Sequence, residues 1–211
     1  MSKTRLAVLG LAALLLAACG PVHPGAAAVV GDARIPMTDV DDVASVYCTA
    51  SQQQAEQAQQ QGGGGVDGVA LRRQALADLL VGEVADQIAQ ERGYSIKVPA
   101  LTAQDKAQLE QLFGDQADEA MKLVERNQRT SAIAIELARE EAPEGTDDEQ
   151  LVQAGQQLLA QEIPEFDVSV DPRFGLDETV QQVAESGSLS VPGGELDATA
   201  VEDRPVALQC A

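Results

Sequence analysis

The sequence predicts a mainly α-helical domain with short β-strands near its N- and C-terminal ends that pair with each other. Three observations carry this. Apolar residues recur at helical spacing through most of residues 40–159. Helix start and stop signals punctuate them, and Val-rich or alternating runs stand at residues 28–35 and 167–171.

Taken in order, Ala28-Val29-Val30, Gly31-Asp32 and Ala33-Arg34-Ile35 read as a tight hairpin or a short strand with a turn. Thr38 is expected to cap the first helix, with Asp39, Asp41 and Asp42 in a first turn where the helix dipole favours acids. Val40, Val43, Ala44, Val46 and Tyr47 form its apolar stripe, and Cys48 falls at or near its end. Residues 51–68 carry Gln repeats that run into Gly62-Gly63-Gly64-Gly65 and read as a flexible loop, since four glycines break a helix. The strongest helical pattern follows, with Val69, Leu76, Leu79, Leu80, Val84 and Ile88 on one face and Gly93 suited to the left-handed residue after its end. Ser95-Ile96-Lys97-Val98 is an extended connector.

Thr102-Ala103-Gln104-Asp105 has capping-box spacing and opens a helix with Leu109, Leu112 and Phe113 on its apolar face. Ala120, Met121 and Val124 continue into another helix, which Ile133, Ile135 and Leu137 extend to about Glu141. Pro143 to Gly145 break it, and Thr146-Asp147-Asp148-Glu149 reads as a second capping box. That helix runs through Leu151, Val152, Leu158 and Leu159 until Pro164 ends it. Asp167-Val168-Ser169-Val170-Asp171 alternates as an edge strand does and is expected to meet the strand at Val30. Asp171-Pro172-Arg173-Phe174-Gly175 is turn chemistry, and residues 177–211 form a tail expected to be partly disordered.

Composition excludes several function classes. The chain has 211 residues and a formal net charge of −20, with 14 basic and 34 acidic side chains. Such a chain lacks the clustered Lys and Arg that phosphate backbones require, so no nucleic-acid partner is expected. The one histidine, His23, removes His-dependent triads and the common zinc hydrolase motifs. Gly62 to Gly65 lack the Lys of a phosphate loop, and no Asp-x-Asp-x-Asp-Gly calcium loop occurs. Abundant carboxylates leave acid/base chemistry open in principle, but five aromatics provide poorly for a sugar-stacking cleft. The expectation is a protein that is not an enzyme, with no cofactor and no metal.

The N-terminus has Lys3 and Arg5 before an unbroken apolar run from Leu6 to Ala18, too short to span a bilayer as a helix. Leu16-Ala17-Ala18-Cys19 resembles the lipobox of bacterial lipoproteins. The resemblance implies that residues 1–18 are a signal cut before Cys19, that the Cys19 thiol is acylated, and that residues 19–27 are a tether. It places the protein at the extracytoplasmic face of the cell membrane, lipid-anchored, with a net charge of −22 once Lys3 and Arg5 are lost. Two or more acyl chains anchor stably where one holds marginally. With Cys19 assigned to lipid, Cys48 and Cys210 remain as an even pair in an oxidising compartment, which suggests a disulfide, with two free thiols as the alternative. Closing so long a loop is worth about 4–5 kcal/mol in the chain-entropy account.

Ala28-Val29-Val30-Gly31-Asp32-Ala33-Arg34-Ile35-Pro36 with Thr38-Asp39-Val40-Asp41 resembles the opening of SurA-type periplasmic chaperones. Leu71-Arg72-Arg73-Gln74-Ala75-Leu76-Ala77-Asp78-Leu79-Leu80, running through Ile88 to Gly93-Tyr94-Ser95-Ile96, is similar to that family's long second helix. Val168 to Gly175 resembles the C-terminal strand of lipid-anchored actinobacterial relatives. The resemblance covers residues 28–176 as a SurA N-terminal-like helical domain and implies a chaperone-like protein that binds unfolded or extended segments of secreted polypeptides. It does not extend to the parvulin isomerase domain, for which the chain after residue 176 is too short. Leu109, Leu112, Phe113, Met121 and Val124 are the candidate peptide-binding residues, with ordinary helix packing as their alternative role. The other reading is a non-catalytic adaptor docking one envelope protein.

Overall fold

A computed structural model describes residues 24–58, 67–143, 145–182 and 210. The signal segment, Cys19, His23 and the four-glycine run lie outside the described residues. What is described is mainly helical, with a small antiparallel sheet, as expected.

Strand β1 (Ala26–Val30) is the middle of three, between β2 (Ala33–Pro36) and β3 (Val168–Val170). Val30 opposes Ala33 across a two-residue turn that needs a left-handed Gly31, whose φ is +57°. On its other edge Val30 opposes Val168 and Ala28 opposes Val170, so the two ends of the domain meet as the sequence suggested. All five residues of β1 are buried. The tether therefore ends earlier than expected: Ala26 and Ala27 belong to the sheet, because a central strand covered on both faces accepts small apolar residues.

Helix α1 (Met37–Ala58) begins at once after β2, its first N–H donating to the Gly25 carbonyl at 2.9 Å. This corrects two expectations. Thr38 is the second helical residue rather than the cap, and Cys48 lies in the middle of the helix rather than near its end. The Gln-rich stretch from Ser51 to Ala58 is helical, not loop, since Gln and Ala are good helix formers and four glycines act only locally. Helix α2 (Gly68–Arg92) is capped by Asp67, whose carboxylate accepts from the Val69 and Ala70 amides. It ends on Gly93 at φ +70°. Gly68 is thus helical, and only residues 59–66 of the expected loop remain outside the description.

Helix α3 (Ala103–Phe113) has the expected Thr102–Asp105 capping box but buries no residue fully. Helix α4 (Ala117–Arg139) and helix α5 (Asp148–Glu162) fold back on each other. The cap of α5 is Asp147, one residue later than the expected box: its carboxylate accepts from the Gln150 amide, while the Thr146 hydroxyl turns back to the Pro143 carbonyl. The α4–α5 seam is unusually close. A Cβ on Gly155 would lie 2.0 Å from the Ala134 carbonyl oxygen.

The core gathers Val30 from the sheet, Val40 from α1, Leu76, Leu80, Val84 and Ile88 from α2, Ile133 from α4 and Leu159 from α5, all essentially without solvent exposure. A 3-10 turn at Pro172–Phe174 follows β3, and Phe174 and Leu176 are buried in the same core. Leu176 then bridges to Gln182 around a turn in which the Asp177 carboxylate accepts from Thr179 and Gln181. The packed unit therefore continues past residue 176 to Gln182, beyond the boundary expected for the tail.

Candidate functional site

Residues of α1 and of the N-terminal end of α2 line a cleft of about 490 Å³. On α1 its wall is Asp41, Ala44, Ser45, Cys48 and Thr49, a set spaced to share one helical face. On α2 it is Gly68, Val69, Arg72 and Arg73, in the first two turns. Arg173 and Phe174 of the 3-10 turn and Gln116, just before α4, close two further sides.

Cys210 completes the wall. Its sulfur is bonded to that of Cys48 at 2.07 Å, with Cα atoms 5.4 Å apart, across 162 positions of sequence. The Gln52 side chain donates to the Cys210 carbonyl at 3.1 Å, and the Thr49 hydroxyl donates to the Gln116 side chain at 2.8 Å. The expected pairing of the two cysteines is thus seen, and it ties Cys210 to the first helix.

Three arginines face this cleft against one aspartate. Arg72 is ion-paired with Asp41 across the gap between α1 and α2. Arg73 donates through Nε to the Phe174 carbonyl at 2.9 Å, and its Nη2 lies beside Gly175. Arg173 folds back onto Asp171, with Nη2 to Oδ2 at 2.6 Å. The hydrogen bond from Arg173 holds the Asp171 carboxyl below its ordinary range. Ala44, Val69 and Phe174 supply the apolar part of the wall. The arrangement can hold carboxylates against guanidinium groups beside an apolar body. The Ser45 hydroxyl donates to the Asp42 carbonyl at 2.8 Å.

Two other polar constellations stand out. Tyr47 of α1 donates to Asp78 of α2 at 2.5 Å, where burial pushes both groups above their ordinary values. The hydrogen bond from Tyr47 pulls Asp78 partly back down. Asp78 also borders a cavity of about 470 Å³ with Asn127, Thr130 and Ser131 of α4. At the far end of α2, Arg92 reaches Glu140 at 2.5 Å and Glu162 at 2.8 Å. Tyr94 donates to the same Glu140; its own burial and that bond raise it to about 12. These ties link α2 to α4 and α5 at the surface.

The five residues expected to bind peptide lie on α3 and α4. Leu109 and Phe113 pack against the core, Met121 and Val124 are half-buried on α4, and Leu112 is 50% exposed. For Leu109 and Phe113 the alternative role, helix packing, is the one observed. None of the five lines the cleft. The arginines that do were not singled out from the sequence; the Arg72-Arg73 doublet at a helix start was the available signal, and Arg173 lies a hundred positions away.

Among the described residues no group of three or more His, Cys, Asp or Glu could hold a metal ion, and no helix is long and apolar enough to cross a membrane. No protein-family model, no curated protein and no solved structure matches this chain.

Proposed function

We propose that this chain is a non-catalytic adaptor that docks an envelope polypeptide at the extracytoplasmic face of the membrane, held there by lipid on Cys19. One observation carries the choice of adaptor over general chaperone. Leu112 is the only large apolar side chain exposed among the described residues. A surface that captures unfolded chains indiscriminately needs a contiguous apolar patch, whereas an adaptor can use a single shaped, charged cleft. The Cys48–Cys210 bond agrees with an oxidising compartment, and the lipobox-like Leu16-Ala17-Ala18-Cys19 supplies the anchor.

The chaperone reading keeps one observation in its favour. The SurA-type resemblance implies a helical chaperone-like domain, and the described residues are mainly helical.

Two measurements separate these readings. The purified protein, in several-fold excess, is mixed with a chemically unfolded model protein and light scattering is followed. The adaptor reading expects no suppression of aggregation, together with one envelope protein co-purifying in near-stoichiometric amount from detergent-solubilised membranes. Suppression near equimolar ratio, with no single companion, overturns it in favour of the chaperone. For the anchor, Cys19→Ser is expected to release the protein from membranes or leave its signal uncut; unchanged retention refutes the lipid reading.

A further inference from the structure

We propose that the α1–α2 cleft receives an acidic, partly apolar polypeptide segment of the partner, whose carboxylates pair with Arg73, Arg173 and Arg72. The inference rests on the adaptor reading and names the chemistry of what is docked.

The charge distribution points this way. A chain of net charge −20 repels acidic partners over most of its surface. The cleft reverses that sign: three arginines line it, against Asp41 paired with Arg72 and Asp171 paired with Arg173, which leaves an excess of one positive charge. An acidic segment is therefore rejected elsewhere and accepted here, and selective docking needs both parts of that contrast.

The state of each guanidinium adds to this. Arg73 is fixed by its Nε–H to the Phe174 carbonyl, which orients the group without neutralising it, and no carboxylate pairs with it among the described residues. Arg173 holds Asp171 yet is 73% exposed, and Arg72 holds Asp41 with about half of each side chain in solvent. Exposed pairs of that kind are worth little and exchange readily. Planar guanidinium groups match carboxylates bidentately, and three of them line one cleft. Val69, half-buried in the wall, suits an apolar side chain beside the acids.

The test uses the full chain in detergent micelles with its disulfide intact, and fluorescence anisotropy of a labelled decapeptide of alternating glutamate and leucine. The expected result is saturable binding that weakens as salt rises, with no binding of the lysine–leucine decapeptide. Arg73→Gln should weaken binding at least about tenfold, as loss of a charge-assisted pair does. Asp41→Asn frees Arg72 and should tighten binding about two- to threefold, a gain that misfolding cannot produce. Equal binding of the lysine peptide, displacement by low-millimolar inorganic phosphate, or no response to either variant overturns the proposal. If the peptide fails while the envelope protein still co-purifies with Arg73→Gln, the cleft assignment falls and the adaptor reading stands. If no companion co-purifies at all, the adaptor reading itself has failed.

Discussion

Gly155→Ala tests the tightest contact in the fold. The added Cβ would sit 2.0 Å from the Ala134 carbonyl oxygen, 2.4 Å from its carbon and 2.8 Å from the Ala134 Cα. Ordinary contact begins near 3.4 Å, so α4 and α5 must part by more than an ångström or tilt. The clashing atoms are backbone, and no rotamer change relieves them. Overpacking costs about 1–3 kcal/mol, and an immobile neighbour places this case at the upper end. Alanine regains about 1 kcal/mol of helix propensity over glycine. The net loss is about 2 kcal/mol, equivalent to a fall in Tm of roughly 4–8 °C for a domain of this size. Thermal unfolding followed by circular dichroism measures it directly. Gly82→Ala in α2 is the control, because its Cβ would meet only the Thr130 hydroxyl at 3.4 Å and Arg126 methylenes at 3.7 Å. That variant should be neutral or slightly stabilised. If Gly155→Ala matches or exceeds wild type as Gly82→Ala does, propensity alone governs both sites and the close α4–α5 seam is not real.

Breaking the Cys48–Cys210 bond, by Cys48→Ser or by reductant, should lower stability by about 2–5 kcal/mol, read as a shift of the urea midpoint; coincident curves with and without reductant would count against the bond. Burial raises the Asp78 pKa above its ordinary 3.8, so the folded protein holds that proton more tightly than the unfolded chain. Its contribution is fully present below 3.8 and is lost as pH rises through the raised folded value. The stability difference between wild type and Asp78→Asn should therefore fall as pH rises from 3.8 through the raised folded value, and Tyr47→Phe should move the Asp78 carboxyl titration higher in NMR; a downward move refutes the assigned hydrogen bond. Thr102→Ala removes the hydroxyl bond, the larger of the two from residue 102 that hold Asp105 below its ordinary value, and leaves the backbone N–H bond in place. The Asp105 carboxyl should then titrate higher and its amide exchange faster, while exchange in α2 stays unchanged.

Features set by neighbours in sequence were readable in advance. Gly93 and the Thr102–Asp105 box need only a few adjacent residues to fix their geometry, and both stand where expected. The meeting of Val30 and Val168 was accessible because both segments had strand patterns and lay at opposite ends of a helical run. Competing local signals misled elsewhere. The Gln-rich stretch after Cys48 looked like loop because of the glycines beyond it, yet helix propensity carried α1 to Ala58. At α5 two adjacent candidates, Thr146 and Asp147, competed for the cap, and the Pro143 carbonyl took the threonine hydroxyl. Tertiary relations were not readable. Nothing in the sequence brings Arg173 to Arg72 and Arg73, and a mid-helix Gly155 shows only weak propensity until Ala134 is set against it.

The place of β1 also sets how the domain bears load. Anything that holds the chain upstream of Pro24 pulls on the first residues of the central strand, not on an edge. That strand is laced to β2 on one side and to β3 on the other, and its buried residues are wedged beneath α2. A pull applied at Pro24 would therefore load two ladders together rather than one. The helices behind it, and the cleft they form, would be shielded from such a pull until the sheet gives way as a unit.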